Sequence, residues 1–335
     1  MKKIISALLA ATMIWSLAAC SSQEANESAS TDETTDTTAV SGEWTPQKDF
    51  TIVVPYEAGG NTDIPMRIFV QYMNKYSDKE FSVTNIVGSG GRAGAMEVMK
   101  AEPDGYTLLL QSSGFAMQYG LGIADFTYED FAPIGYWLDS TMALVVNADS
   151  SYETYEDLVE AAKDNEGGTR MGSVTGTLPL FGLTAIEQKE GVTFNKVDLS
   201  GSAKAPELLS NRIDGYIDGF SSVKQYIDSG DFRCLAILAS EPQKGYEDIP
   251  TFADLGYTDI AYLKQDFGLW APKGTPEGAV EYINNVMKQA AEDPECIAEL
   301  EAQGYGTKYS TTEDYIQSME EIYSKFEEVA ASMVQ

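Results

Sequence analysis

Five short loops rich in glycine and small hydroxyl residues are the segments of this chain best suited to chemistry. Tyr56-Glu57-Ala58-Gly59-Gly60-Asn61-Thr62-Asp63 joins an apolar run to a helical pattern. Gly88-Ser89-Gly90-Gly91-Arg92-Ala93-Gly94, Ser112-Ser113-Gly114, Gly172-Ser173-Val174-Thr175-Gly176-Thr177 and Ser200-Gly201-Ser202 follow, each after a strand-like run. Paired glycines let a ligand approach the main chain, and the helix start beyond them offers free N–H groups at a positive dipole end. Such donors hold a carboxylate or phosphate without a formal positive charge. Taken singly, each loop reads equally as a turn. Asp63 reads equally as a helix cap and as a carboxylate that orients a ligand amine or a water.

Other chemistries are harder to support. The chain has no histidine, which removes Ser-His-Asp and Cys-His catalysis, histidine metal sites and the usual near-neutral base. Neither a G-x-S-x-G elbow nor a clear S-x-x-K box is present. A carboxylate pair for glycoside hydrolysis needs only spatial proximity and stays open. Gly88 to Ala93 satisfies G-x-G-x-x-A, the dinucleotide fingerprint, but the strand at Thr107 to Ser113 carries no acidic residue for a ribose. Asp plus Glu number 52 against 22 Lys plus Arg, a net charge of -30, which makes nucleic acid a poor partner. No cofactor and no metal site is expected. Cys234 and Cys296 lack zinc spacing and are compatible with a disulfide or with two buried thiols.

The elements that must position these loops alternate along the chain. Phe50 to Pro55, Phe81 to Val87 and Tyr106 to Gln111 read as strands, with helices from Ile64 and over Ala93 to Ala101 between them. This βαβαβ order predicts a mostly parallel, doubly wound α/β sheet. Met142 to Asn147 is a further strand, and Thr154-x-x-Asp157 opens the next helix as a capping box. Arg170 to Ser173, Thr193 to Asp198, Tyr216 to Phe220 and Cys234 to Leu238 repeat the alternation, with helices at Phe181 to Lys189 and Ala205 to Asn211. Thr275-Pro276 predicts an N-cap with proline in the first turn of a helix reaching about Asp293. Ser310-x-x-Glu313 predicts the start of the last helix, whose Ile316, Met319, Tyr323, Phe326 and Ala330 form one stripe. Two α/β units with a ligand in the crevice at their strand ends is the simplest architecture.

The N-terminus carries an address. Met1-Lys2-Lys3, the apolar run Ile4 to Leu17, too short to span a bilayer, and Leu17-Ala18-Ala19-Cys20 together read as an export signal over residues 1–19. Leu17-Ala18-Ala19-Cys20 resembles the bacterial lipobox, which implies acylation of Cys20 and a lipid anchor on the extracytoplasmic face of the bacterial cell membrane. Residues 20–45, largely Ser, Thr, Glu, Asp and Ala, are expected to be a flexible tether.

The order of motifs is specific. Ala58 to Asp63 with Arg67, Gly88 to Gly94, Pro103-Asp104-Gly105-Tyr106-Thr107-Leu108-Leu109, Asp130 to Ile134, Ile249 to Gly256 and Phe267 to Pro276 together resemble the tripartite tricarboxylate transporter substrate-binding family over about residues 48–330. The resemblance implies a two-lobed periplasmic-binding-protein type II fold. Residues 46–146 with 265–335 would form one lobe and 147–264 the other. It implies an extracytoplasmic, non-enzymatic, monomeric receptor that captures a small carboxylate and delivers it to the membrane subunits of a tripartite transporter. Sensing without transport is the alternative. Tyr56, Ala58, Gly60, Asn61 and Asp63 would hold the carboxylate, helped by Ser112 and Ser113. Thr175, Gly176, Thr177, Ser200, Gly201 and Asp218 would close from the second lobe. Two departures stand out: Leu178-Pro179-Leu180 replaces the family's S-x-H, and Ser200 replaces a lysine. A second lobe stripped of its cation implies a monocarboxylate or amphipathic carboxylate rather than citrate.

Overall fold

The chain is described by a computed structural model over residues 44–333, apart from 121, 200 and 258–262. The export signal, Cys20, the tether up to 43 and Ser200 lie outside the described residues.

In chain order the elements are β1 (Phe50–Val54), α1 (Asp63–Met73), β2 (Phe81–Asn85), α2 (Arg92–Met99), β3 (Thr107–Ser112), α3 (Gly114–Gly120), β4 (Phe131–Ser140), β5 (Met142–Asn147), α4 (Tyr155–Asp164), β6 (Arg170–Ser173), α5 (Leu178–Glu190) and β7 (Asn195–Asp198). They continue as α6 (Lys204–Leu209), β8 (Gly215–Gly219), α7 (Phe220–Ser229), β9 (Phe232–Leu238), β10 (Gln265–Pro272), α8 (Glu277–Ala291), α9 (Pro294–Ala302), β11 (Gly306–Thr307) and α10 (Thr312–Met333).

Two sheets, one to each lobe, organise the chain. The first runs β11-β4-β10-β3-β1-β2 and the second β7-β6-β8-β5-β9. Parallel pairing joins β2, β1 and β3, and likewise β7, β6 and β8, as the alternation of strand and helix predicts. Each sheet also holds a reversed strand inserted beside its third, and the edge strand β11 of the first sheet is reversed as well. In the first the inserted strand is β10, antiparallel to β3 and β4; in the second it is β5, antiparallel to β8 and β9. Both inserted strands are those by which the chain enters a lobe from the other one. β5, of which residues 142–146 were expected in the first lobe, bonds wholly within the second sheet, and the chain changes sheets at Thr141.

The burial pattern shows what the sheets pack against. Ile52, Val54, Leu108 and Leu110 face a core with α1 and α8, whereas Val53 and Leu109 point to the opposite side. In β5, Ala143 and Val145 face α6 and α7, and Met142, Leu144 and Val146 join the same cluster as Val53 and Leu109. One apolar cluster thus runs from the first lobe into the second. The last helix extends it: Met319, Tyr323 and Phe326 are buried, and Phe326 meets Phe181 of α5 edge-on at 5.1 Å.

Local signals behave as their chemistry requires, with three corrections. Thr154 and Asp157 form the capping box, with reciprocal bonds of 3.2 and 2.8 Å. Pro276, not Thr275, caps α8, and Thr275 instead donates to the Pro272 carbonyl at 2.8 Å. The helix expected to reach Asp293 stops at Ala291; Asp293 caps a separate helix whose first residue is Pro294. Thr311, not Ser310, opens the last helix, accepting from the Asp314 amide at 3.1 Å. Cys234 and Cys296 are free thiols.

Candidate functional site

The strand ends of the two sheets face each other across a cavity of about 770 Å³. The first lobe contributes Tyr56 to Thr62, Val87 to Gly91, Ser112, Gly114, Gln265 and Tyr305. The second contributes Val174, Gly176 to Pro179, Gly201, Ser202, Lys204, Tyr216, Asp218, Ser221 and Ser222. Helices α1, α2, α5, α6 and α7 all begin on this wall. Their first-turn amides and positive dipole ends converge there, an arrangement that favours an anion. Among the described residues, the amides of Ala58, Asn61 and Thr62 on one side and of Gly176, Thr177 and Leu178 on the other make no hydrogen bond within the protein.

Of the sequence-derived site residues, Tyr56, Ala58, Gly60, Asn61, Ser112, Gly176, Thr177, Gly201 and Asp218 lie on the cavity wall. Asp63, Ser113 and Thr175 do not. The Asp63 carboxylate is buried and accepts from the Gly59 amide at 2.8 Å, Arg67 at 2.8 Å and Asn85 at 2.9 Å. Burial pushes its pKa up, but the bonds from Arg67, Gly59 and Asn85 outweigh that and hold the carboxyl below its ordinary range. Asp63 is therefore the clamp of the glycine loop. Ser113 donates to the Lys264 carbonyl at 2.7 Å and its amide binds Asp266, tying β3 to the returning strand. Thr175 turns away to Asp198, which takes both its amide and its hydroxyl. Ser200 lies outside the described residues.

The glycine-rich segment after β2 has a packing explanation. Gly90 and Gly91 have φ of 64° and 104°, and a Cβ on Gly91 would stand 3.1 Å from the Tyr56 hydroxyl. A Cβ on Gly94 would stand 2.7 Å from Pro55, so this residue lets α2 lie close on the end of β1. Tyr56 in turn donates to Gln111 at 3.0 Å. Burial pushes its phenol up to about 12, against the pull of that bond. The loop thus has a rigid wall behind it.

Lys204 was not foreseen. Its side chain is 3% exposed, and Nζ lies 2.5 Å from Asp218 Oδ2 and 3.4 Å from the Ile217 carbonyl. This corrects the expectation that the second lobe lacks a cation. A cation on the first residue of a helix is unfavourable by itself, and Asp218 compensates it. The sequence signal was a lysine at a helix start, four residues after the Ser200 substitution. Among the described residues, Glu57 and the Lys224–Asp228 pair complete the charged lining, and no arginine reaches it. Arg67 and Arg92 pair with Asp63 and Asp125 instead. Leu178, where the family pattern has a serine, lines the cavity beside Pro179.

A model of the tripartite tricarboxylate transporter family receptor matches residues 66–333. Protein BugT of Bordetella pertussis is 29% identical over 276 residues, which cover 79% of this chain and 83% of that protein. A UPF0065 protein of Agrobacterium vitis is 31% identical over 263 residues, covering 77% of this chain and 76% of its own. Among solved structures, one described as a periplasmic transporter superposes with a TM-score of 0.80 at 28% identity, covering 86% of this chain and 98% of that one. The periplasmic binding protein BugD gives 0.79 at 26%, over 86% of this chain and 98% of its own. A Rhodopseudomonas palustris protein with adipate gives 0.79 at 23%, over 85% of this chain and 97% of its own, a likeness of fold.

Proposed function

The chain belongs to the tripartite tricarboxylate transporter receptor family, and on that premise we propose that it captures a small carboxylate between its lobes and delivers it to membrane subunits of such a transporter. The observation that carries this reading is the convergence of unbonded helix-start amides from both lobes on one cavity. The carboxylate sits against Ala58, Asn61 and Thr62, whose loop Asp63 holds rigid, and the Gly176 to Leu178 amides and Lys204 close over it. On this reading the bound acid is carried rather than transformed, as the receptor family to which the chain belongs supports. The protein acts on the extracytoplasmic side, anchored by a lipid on Cys20.

Charge limits the ligand. Three carboxylates on the wall, Glu57, Asp218 and Asp228, face two lysines. A tricarboxylate buried there would carry uncompensated charge at a cost of several kcal/mol. The favoured solute therefore has one or two acid groups. Isothermal titration with adipate, malate, a series of monocarboxylates and citrate tests this. One equivalent should bind without turnover, and citrate at least about tenfold more weakly than the best of the others. A preference for citrate, or consumption of the bound acid, would refute the reading. Loss of detergent-phase partitioning in Cys20→Ser tests the anchor.

A further inference from the structure

Asn61 stands on the cavity wall, yet its side chain is engaged by the protein on three sides. Its Nδ2 donates to Gln265 Oε1 at 2.9 Å. Its Oδ1 accepts from the Tyr305 hydroxyl at 3.0 Å, a proton shared with the Asn61 carbonyl at 3.0 Å. Gln265 begins β10 and Tyr305 follows α9, so both hold the amide to the first lobe. The remaining partner comes from the second lobe: Ser221, in the first turn of α7, donates to the same Oδ1 at 2.5 Å.

A second observation, independent of these bonds, concerns Gly219. Its φ of -53° and ψ of 133° suit any residue, so the backbone does not demand glycine there. Space does. A Cβ on Gly219 would stand 2.4 Å from Asn61 Nδ2 and 2.8 Å from Oδ1. The missing side chain of the second lobe is the seat into which the Asn61 amide fits.

We infer that Asn61 is the latch of the cleft, anchored in the first lobe by Gln265 and Tyr305 and seated on Gly219 and Ser221 of the second. Opening the lobes must break the Ser221 bond and lift the amide off its seat. Asn61 also belongs to the loop whose amides face the cavity, so the latch ties the ligand loop to closure. Its loss shortens the closed state, and so speeds solute release more than it slows capture. This consequence for release rests on the carboxylate-receptor reading; the latch itself does not.

Three variants attack the latch differently. Ser221→Ala removes the cross-lobe donor, Gly219→Ala fills the seat without removing any hydrogen-bonding group, and Asn61→Ala removes the amide. Hydrogen–deuterium exchange on the full-length chain, without added solute, reads the result. All three variants should exchange faster at the hydrogen-bonded amides of Gly59, Gly60, Asp63 and Ile64 and at Phe220, with β5 as protected as in the wild type. With adipate as the probe, dissociation should be about tenfold faster and association within about twofold of wild type. Wild-type exchange in both Ser221→Ala and Gly219→Ala would overturn the latch, even if Asn61→Ala misfolds. If no carboxylate binds the wild type, the receptor reading fails while the exchange comparison still decides the latch.

Discussion

Lys204 and Asp218 make the cavity selective through a charge that is present but already matched. Their side chains are 3% and 19% exposed, so each is held largely out of water. Removing one partner of such a pair leaves the other uncompensated, and the sign of the effect on an anionic ligand depends on which is removed. Asp218→Asn frees the ammonium and should tighten binding of any carboxylate, with the largest gain for citrate. Lys204→Met leaves Asp218 facing the ligand and should weaken every carboxylate by about tenfold or more, since a buried charge-assisted contact is worth about 1.5–3 kcal/mol. Titration calorimetry on both variants reads this directly. Equal losses in the two would mean that the pair is structural and the acid lies elsewhere in the cavity.

At the scale of elements, the start of α10 shows how neighbouring hydroxyls divide their tasks. Thr311 caps the helix and donates to the Asp314 carboxylate at 2.8 Å, while the buried Ser310 accepts from the Tyr136 amide at 2.9 Å. Thr311→Ala should cost about 1 kcal/mol, the usual value of an N-cap. Ser310→Ala should cost more, about 1–3 kcal/mol, because it strips a partner from a buried amide in β4. Urea unfolding ranks them, and the reverse order would contradict this division. The capping pattern was legible one residue away from its true place because Ser310-x-x-Glu313 and Thr311-x-x-Asp314 overlap. The alternating βαβ run was legible because buried strands and amphipathic helices have different apolar periods. β4 was missed: Pro133 and Gly135 read as breakers, and its pairing with β10 tolerates them through two register shifts. The reversed strands were not legible because a local pattern carries no pairing direction. The site loops were legible as loops, but not which side chains face inward. Asp63, Ser113 and Thr175 are turned by partners elsewhere in the fold. Lys204 is tolerable only because Asp218, on another element, meets it.

For the whole molecule, two like charges meet next to the crossing between the lobes. Asp266 of β10 and Asp139 of β4 are paired in register, next to the crossing at Thr141. Lys264 contacts the Asp139 carboxylate, and its Nζ is 3.8 Å from Asp266 Oδ1. Burial pushes the Asp266 carboxyl up to about 6; the like charge on Asp139 adds to this, and Lys264 opposes it without cancelling it. An unfolded aspartate titrates near 3.9, so between about pH 4 and pH 6 the folded chain holds a proton that the unfolded chain has lost. Stability then falls as pH rises through this window, and the full penalty, on the order of 2–3 kcal/mol, persists above it. Asp266→Asn should remove the penalty. Its Tm should exceed that of the wild type by roughly 4 °C at pH 7.5, with the gap closing towards pH 4. The continuous cluster linking Val53, Leu144, Phe181 and Phe326 makes both lobes parts of one core, so the shift should move a single calorimetric transition rather than one of two. Scanning calorimetry of both proteins across this range provides the check. A constant gap at all pH values would show that the substitution acts through packing rather than through the proton.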